Sequence, residues 1–295
     1  MQNLNDKVAF VTGGASGIGF GMVRNFLNEG MKVAIADVND AHLAEVRETL
    51  KGSNRVHFLK VDVSRRDQLH AAVQEALAVF GKIHVLCNNA GVGGGGTADD
   101  PDFDDWDRAL SVNLGGVVNG TKIVVPIIKA QGEGGHVVNT SSMAGVVPLP
   151  AMGAYATAKY AVRGFTDSLR MSLAPDGIGV SCLFPGLTRT RIVEVPADRP
   201  DADPDDPSEQ MAAKFRGAME VAMDPLELGA MVVRGIKANA PYIVTHREFL
   251  EEVQALNKEL EAAFPMDQMV PAARQQFEDM RRSMAAGLAH MPVKE

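Results

Sequence analysis

The sequence predicts an α/β protein built on a doubly wound parallel sheet, with helices on both faces and a helical extension at the C-terminus. Three observations predict it. Short β-branched runs alternate with longer stretches of helical spacing up to about residue 190. The short runs are nearly continuous in apolar character, as strands are when both faces of a parallel sheet are covered. A glycine-rich turn joins the first run to the first helix. The chain has 295 residues, 46% of them hydrophobic and 22% charged, and is read as one domain, 1–295, with a sizeable core.

The expected strands are Val8–Thr12 and residues 33–37, 56–61, 85–88, 136–141 and 179–184. Between them lie helical patterns at 18–29, 66–80, 104–129 and 154–173. A regular strand–helix alternation with right-handed crossovers closes into a sheet with two helical layers. The character changes after Phe184. Residues 196–207 are rich in proline and aspartate and resist helix. Lying just after the last long strand, 190–225 is read as a substrate loop or lid. Helical patterning is expected at 208–220 and 225–238, a last strand at 241–245, and a helical extension over 246–295.

Charge and cysteine usage narrow the function classes. Twenty-nine Lys and Arg against 37 Asp and Glu give a formal charge of −8, and no basic stripe offsets it. That argues against a nucleic-acid partner. No run of about 18 apolar residues stands out, which argues against a membrane partner. The first residues do not read as a secretory signal. Cys87 and Cys182 make no disulfide framework and no metal spacing, and no metal is expected. The reading is a cytoplasmic protein with reduced thiols.

Thr12-Gly-Gly-Ala-Ser-Gly-Ile-Gly19 follows a strand and opens a helix. A backbone that turns this tightly can admit a pyrophosphate against the helix N-terminus, where open N–H groups and the dipole favour an anion. Gly13, Ser16, Gly17, Ile18 and Gly19 are the candidate contacts, in a Rossmann-like dinucleotide site. Asp37 stands at the end of the second strand, where a carboxylate can accept both ribose hydroxyls and repels a 2′-phosphate. No Arg or Lys occupies 14–16 or 38–39, which favours NAD over NADP. The competing role for Asp37 is to cap the next helix.

Tyr155 and Lys159 are four apart and share a helix face. A phenol is a poor base at neutral pH, and a nearby ammonium favours its ionised form. Six features in order make the chain resemble the short-chain dehydrogenase/reductase family over about residues 4–190: the glycine turn, Asn88-Asn-Ala-Gly91, Asn113, Ser142, Tyr155-x-x-x-Lys159 and Pro185-Gly186. The resemblance implies that Tyr155 is the general acid/base. It implies that Lys159 tunes Tyr155 and holds the nicotinamide ribose, and that Ser142 orients the substrate oxygen. Ser141 is the one competitor for the serine role. Asn113 resembles the residue whose backbone keeps a relay water. Asn89, Ala90 and Gly91 resemble the adenosine-side loop, and Asp62 and Val63 the adenine contacts. Pro185, Gly186, Thr188 and Thr190 resemble the nicotinamide-side contacts, although Thr188 stands where the family often has an aliphatic residue. The family also implies a homo-oligomer, dimer or tetramer, through the helices at 104–129 and 154–173.

The extended tail, and Gly21 beyond the glycine turn, are similar to the bacterial Cα-dehydrogenases that oxidise benzylic alcohols of lignin-derived aryl ethers. The expected function is an NAD-dependent secondary-alcohol dehydrogenase on a small hydrophobic or aromatic molecule. Met143, Val147, Leu149, Met152, Leu187, Ile192 and Val195 are candidates to line its pocket. The alternatives are an NADPH-dependent carbonyl reductase, a hydroxysteroid-type dehydrogenase, and a dinucleotide sensor without turnover.

Overall fold

The structure, a computed structural model, describes residues 1–94, 96–99, 103–193 and 217–289. Seven strands form one all-parallel sheet: β1 Val8–Thr12, β2 Lys32–Asp37, β3 Val56–Lys60, β4 Val85–Asn88, β5 Gly135–Thr140, β6 Ile178–Phe184 and β7 Tyr242–Val244. Their order across the sheet is β3-β2-β1-β4-β5-β6-β7. All seven expected strands are present, with ends within one residue of the expected positions. The helices are α1 Gly17–Asn28, α2 Asp40–Thr49, α3 Arg66–Phe80, α4 Phe103–Ala109, α5 Gly116–Gln131, α6 Gly153–Leu173, α7 Pro225–Lys237, α8 Leu250–Ala262 and α9 Ala272–Ala289.

Alternation along each strand divides the core in two. Ala9 and Val11 of β1, with Val33 and Ile35 of β2, face Met22, Val23 and Phe26 of α1 and Leu228, Val232 and Ile236 of α7. Phe10, Ala34, Leu86 and Val137 face the other way, against Leu69 and Val73 of α3 and Val124 and Ile128 of α5. Strands buried on both faces need no polar alternation, which is why they read as apolar runs. On the first face α1 and α7 meet at glycines. A side chain on Gly21 would strike the Pro225 carbonyl, and one on Gly229 would strike the Gly21 carbonyl. Gly21 is therefore a packing glycine of this helix pair.

The single helix expected at 104–129 is interrupted. Between α4 and α5, residues Leu110–Gly115 form a π turn, and it contains Asn113. One extra residue per turn re-aims a side chain, which is why such turns gather at functional sites. An 18-residue window within Phe103–Gln131 is long and apolar enough to cross a membrane by composition, yet half of that window is buried inside the fold. That burial is what a core helix requires.

The extension begins after β7. α8 packs Val253 and Leu256 against Met143, Val147 and Phe184. α9 leaves Phe277, Met280 and Met284 exposed. The expected flap at 196–207, most of the helix expected at 208–220, and Val195 lie outside the described residues.

Candidate active site

The chain leaves β1 toward β2 on one side and β4 toward β5 on the other. A crevice therefore opens beyond the carboxyl ends of these two central strands.

The glycine turn lies at the end of β1. Gly13 has φ +61° and Gly17 φ +47°, where a side chain is strained. A Cβ on Gly13 would also sit 2.9 Å from the Ala90 Cα. Ser16 is the N-cap of α1, yet its side chain makes no capping bond among the described residues, and the first turn holds no acid. The leading N–H groups around Ile18 and Gly19 are thus open to an anion. The Thr12 hydroxyl accepts from the backbone N–H groups of Asn89 at 2.9 Å and Ala90 at 3.0 Å, and Asn89 Nδ2 donates to the Thr12 carbonyl at 3.1 Å. These bonds clamp the 89–91 loop to the turn.

Asp37 ends β2 with a carboxylate that accepts from the Ala15 N–H at 3.1 Å and the Asn39 N–H at 3.0 Å. It does not cap α2. Asn39 does, accepting from Ala41 and His42. The competing role for Asp37 is therefore already filled. Asp62 accepts from the Ser64 N–H at 2.9 Å and hydroxyl at 2.7 Å, and Val63 is buried against Gly116.

Ser142 and Ser141 separate cleanly. Ser141 is buried and donates to the Lys159 carbonyl at 2.7 Å. Ser142 stays half-buried, accepts the Ala144 N–H at 3.1 Å, and hydrogen-bonds the Tyr155 side chain. Tyr155 and Lys159 lie one turn apart on α6, with Lys159 Nζ 5.4 Å from the Tyr155 ring centroid. Lys159 is 3% exposed and donates to the Thr140 carbonyl at 3.1 Å. Burial holds its ammonium down to about 8, with the Cys182 thiol opposing. Burial likewise pushes the Tyr155 phenol up, and the Ser142 bond draws it back. In the chain alone, desolvation outweighs the Ser142 contribution, and the phenol stands above its ordinary value.

Asn113 is fully buried, and its side chain accepts from the Val92 N–H at 2.9 Å and donates to the Val92 carbonyl at 3.1 Å. Its side chain is occupied in fixing the loop after Gly91. At the far side of the crevice, the Pro185 carbonyl accepts from the Met143 N–H at 2.8 Å, and Thr188 Oγ1 donates to the Gly186 carbonyl at 3.2 Å. Thr190 leans the other way: a Cβ on Gly17 would meet it at 2.9 Å. Of the expected pocket residues, Met143 and Val147 are buried in the cluster under α8. Leu149, Met152 and Leu187 are half-exposed and Ile192 is exposed, so a pocket wall falls to them.

Sequence reasoning did not find Thr140 or His246. Thr140 acts through its backbone carbonyl, which any residue would supply. His246 reaches back about 60 residues to Gly186, and no local pattern announces such a contact.

A family model described as short chain dehydrogenase matches residues 7–200. The chain belongs to the short-chain dehydrogenase family. This is a family of oxidoreductase enzymes, and the chain is one of them. A C alpha-dehydrogenase from Sphingobium sp. is 32% identical over 284 residues, covering 94% of this chain and 93% of its own. A 3-alpha-(or 20-beta)-hydroxysteroid dehydrogenase from Mycobacterium bovis is 37% identical over 228 residues, covering 77% and 81%. A solved short-chain dehydrogenase/reductase from Burkholderia phymatum, in complex with NAD, superposes with a TM-score of 0.83 at 32% identity, covering 92% and 100%.

Proposed function

We propose that this short-chain dehydrogenase interconverts a secondary alcohol and its ketone with NAD, on a hydrophobic or aromatic alcohol of the benzylic, lignin-derived kind. The observation that carries the chemistry is the convergence of Ser142, Tyr155 and Lys159 in a chain whose glycine-lined first helix has no side-chain cap among the described residues. The residues fit the dinucleotide. Gly13, Ser16, Gly17, Ile18 and Gly19 would take the pyrophosphate. Asp37 would take the adenosine ribose, Asp62 and Val63 the adenine, and Asn89, Ala90 and Gly91 its supporting loop. Tyr155 and Lys159 would hold the nicotinamide ribose, and Pro185, Gly186, Thr188 and Thr190 the carboxamide side. Asp37 favours NAD, because its carboxylate repels a 2′-phosphate and no cation stands at 14–16 or 38–39.

Bound NAD supplies the hydride acceptor. The chain supplies placement and proton transfer. Ser142 Oγ holds the substrate oxygen and Tyr155 Oη takes its proton. The Lys159 ammonium favours the phenolate and passes the proton outward, and the Asn113 backbone keeps the relay water. Outer faces that expose Phe103, Tyr160 and Met171 support a homo-oligomer through α4, α5 and α6, which light scattering tests.

The Sphingobium relative supports the benzylic substrate, since the likeness runs through the extension. The Mycobacterium relative supports a second reading, a hydroxysteroid, by its higher identity over the shorter span. Nicotinamide absorbance on mixing the protein with NAD or NADP and a panel of secondary alcohols decides between them. Faster reduction of NAD with benzylic aryl-ether alcohols than with hydroxysteroids is expected. The reverse order would favour the steroid. Tight NADH binding with no turnover across the panel would point to a sensor.

A further inference from the structure

The first residue of the extension touches the candidate nicotinamide-side loop. His246 lies two residues past the end of β7 and is 7% exposed. Its Nδ1 accepts the Gly186 N–H at 3.0 Å, and its Nε2 lies 3.0 Å from the Leu187 carbonyl. A carbonyl only accepts, so the ring proton sits on Nε2, and Nδ1 is left as the acceptor that Gly186 requires. The Thr245 hydroxyl lies 2.6 Å from Nδ1 and 3.3 Å from the Phe184 carbonyl, two acceptors for its one proton. The ring therefore grips the backbone of two successive residues, Gly186 and Leu187, one through each nitrogen. The contact is also close in shape: a Cβ on Gly186 would lie 2.6 Å from His246 Cγ. Phe249 packs edge-on to the imidazole, with ring centroids 6.5 Å apart, and belongs to the cluster that seats α8.

The gripped loop joins the two halves of the site. Pro185 is bonded to Met143, the neighbour of Ser142, and the Leu187 carbonyl also accepts from the Met223 N–H at 3.0 Å. Thr188, which bonds the Gly186 carbonyl, rides on the same backbone.

We propose that His246 is a positioning residue, which sets the 185–188 loop for the nicotinamide end of the cofactor and ties the C-terminal extension to that loop. The proposal rests on the dinucleotide reading above. It separates the two ends of the cofactor, since the adenosine-side groups, Asp37 and the glycine turn, lie on other elements and do not touch His246.

The test uses the full chain with H246F, which keeps a ring and removes both polar atoms, and H246N, which keeps an acceptor and a donor on a shorter arm. Thermal melting first establishes that each is folded. In cofactor-free protein, Gly186 amide exchange is expected to accelerate about tenfold or more in H246F, the loss of one buried hydrogen bond. NADH is expected to bind about tenfold more weakly, while ADP-ribose, which lacks the nicotinamide, binds within about twofold of wild type. H246N is expected to fall between wild type and H246F on both measures, and it carries the test if H246F does not fold. A folded variant with unchanged Gly186 exchange, or with NADH and ADP-ribose weakened equally, overturns the clamp. Wild-type protein that binds neither NADH nor ADP-ribose overturns the dinucleotide reading itself, before any variant is compared.

Discussion

Replacing Lys159 by methionine is expected to stop turnover and to stabilise the fold. The lysine is 3% exposed and its ammonium is held at about 8, chiefly by burial, against an ordinary 10.5. At about 1.4 kcal/mol per tenfold in protonation, the charged form is disfavoured in the fold by about 3 kcal/mol. Methionine matches the unbranched stem and carries no charge. It also forfeits the bond to the Thr140 carbonyl, which offsets about 1–2 kcal/mol. The net gain is about 1–2 kcal/mol at pH 7, a rise in Tm of about 2–3 °C for a chain of this size. The pH dependence gives the sign independently. The folded value lies below the unfolded one, so between about 8 and 10.5 the unfolded state binds more protons, and wild-type stability gains as pH rises through that window. The advantage of K159M is therefore full at pH 7 and shrinks toward about pH 10.5. Denaturant unfolding of both proteins at neutral pH and near the upper end of the window measures it, and taking the difference cancels the other titrating groups. A variant less stable than wild type at pH 7, or a gap that widens with pH, would refute the burial argument.

Tyr155→Phe should reduce turnover by several orders of magnitude while NADH still binds. Retained activity in the alcohol assay would remove Tyr155 as the proton acceptor. Asp37→Ala should weaken NAD and narrow its preference over NADP, measured as the ratio of kcat/KM for the two. Asn39→Ala, which strips the cap from α2, should cost about 1 kcal/mol in unfolding and leave that ratio alone. If the two variants exchange these effects, the roles of Asp37 and Asn39 have been assigned the wrong way round. Gly21→Ala should destabilise by roughly 1–3 kcal/mol, because the added methyl strikes the Pro225 carbonyl of α7. A melting temperature equal to wild type would mean that α1 and α7 part more easily than their packing implies.

Strand positions and the glycine turn were legible because each obeys a local rule. β1 is buried on both faces and reads as an unbroken apolar run, and Gly13 and Gly17 occupy backbone angles that a side chain resists. Ser142 was legible only through the family resemblance, with Ser141 left as its competitor. Two adjacent serines point to opposite sides, and only the packing of α6 shows that Ser141 is spent on the Lys159 carbonyl. The division between Asp37 and Asn39 is of the same kind, since both are good caps by residue type.

The sequence by itself determined the parallel α/β sheet, the glycine turn with its acid, and the Tyr155/Lys159 spacing, because periodicity and short-range sterics are written within a few residues. The tertiary structure alone decided three things. It placed a π turn at Asn113, it set the Tyr155 phenol above its ordinary value, and it laid His246 on the Gly186 loop. Each depends on burial or on a partner from a distant stretch of chain. Desolvation and long-range hydrogen bonds exist only once the elements have packed.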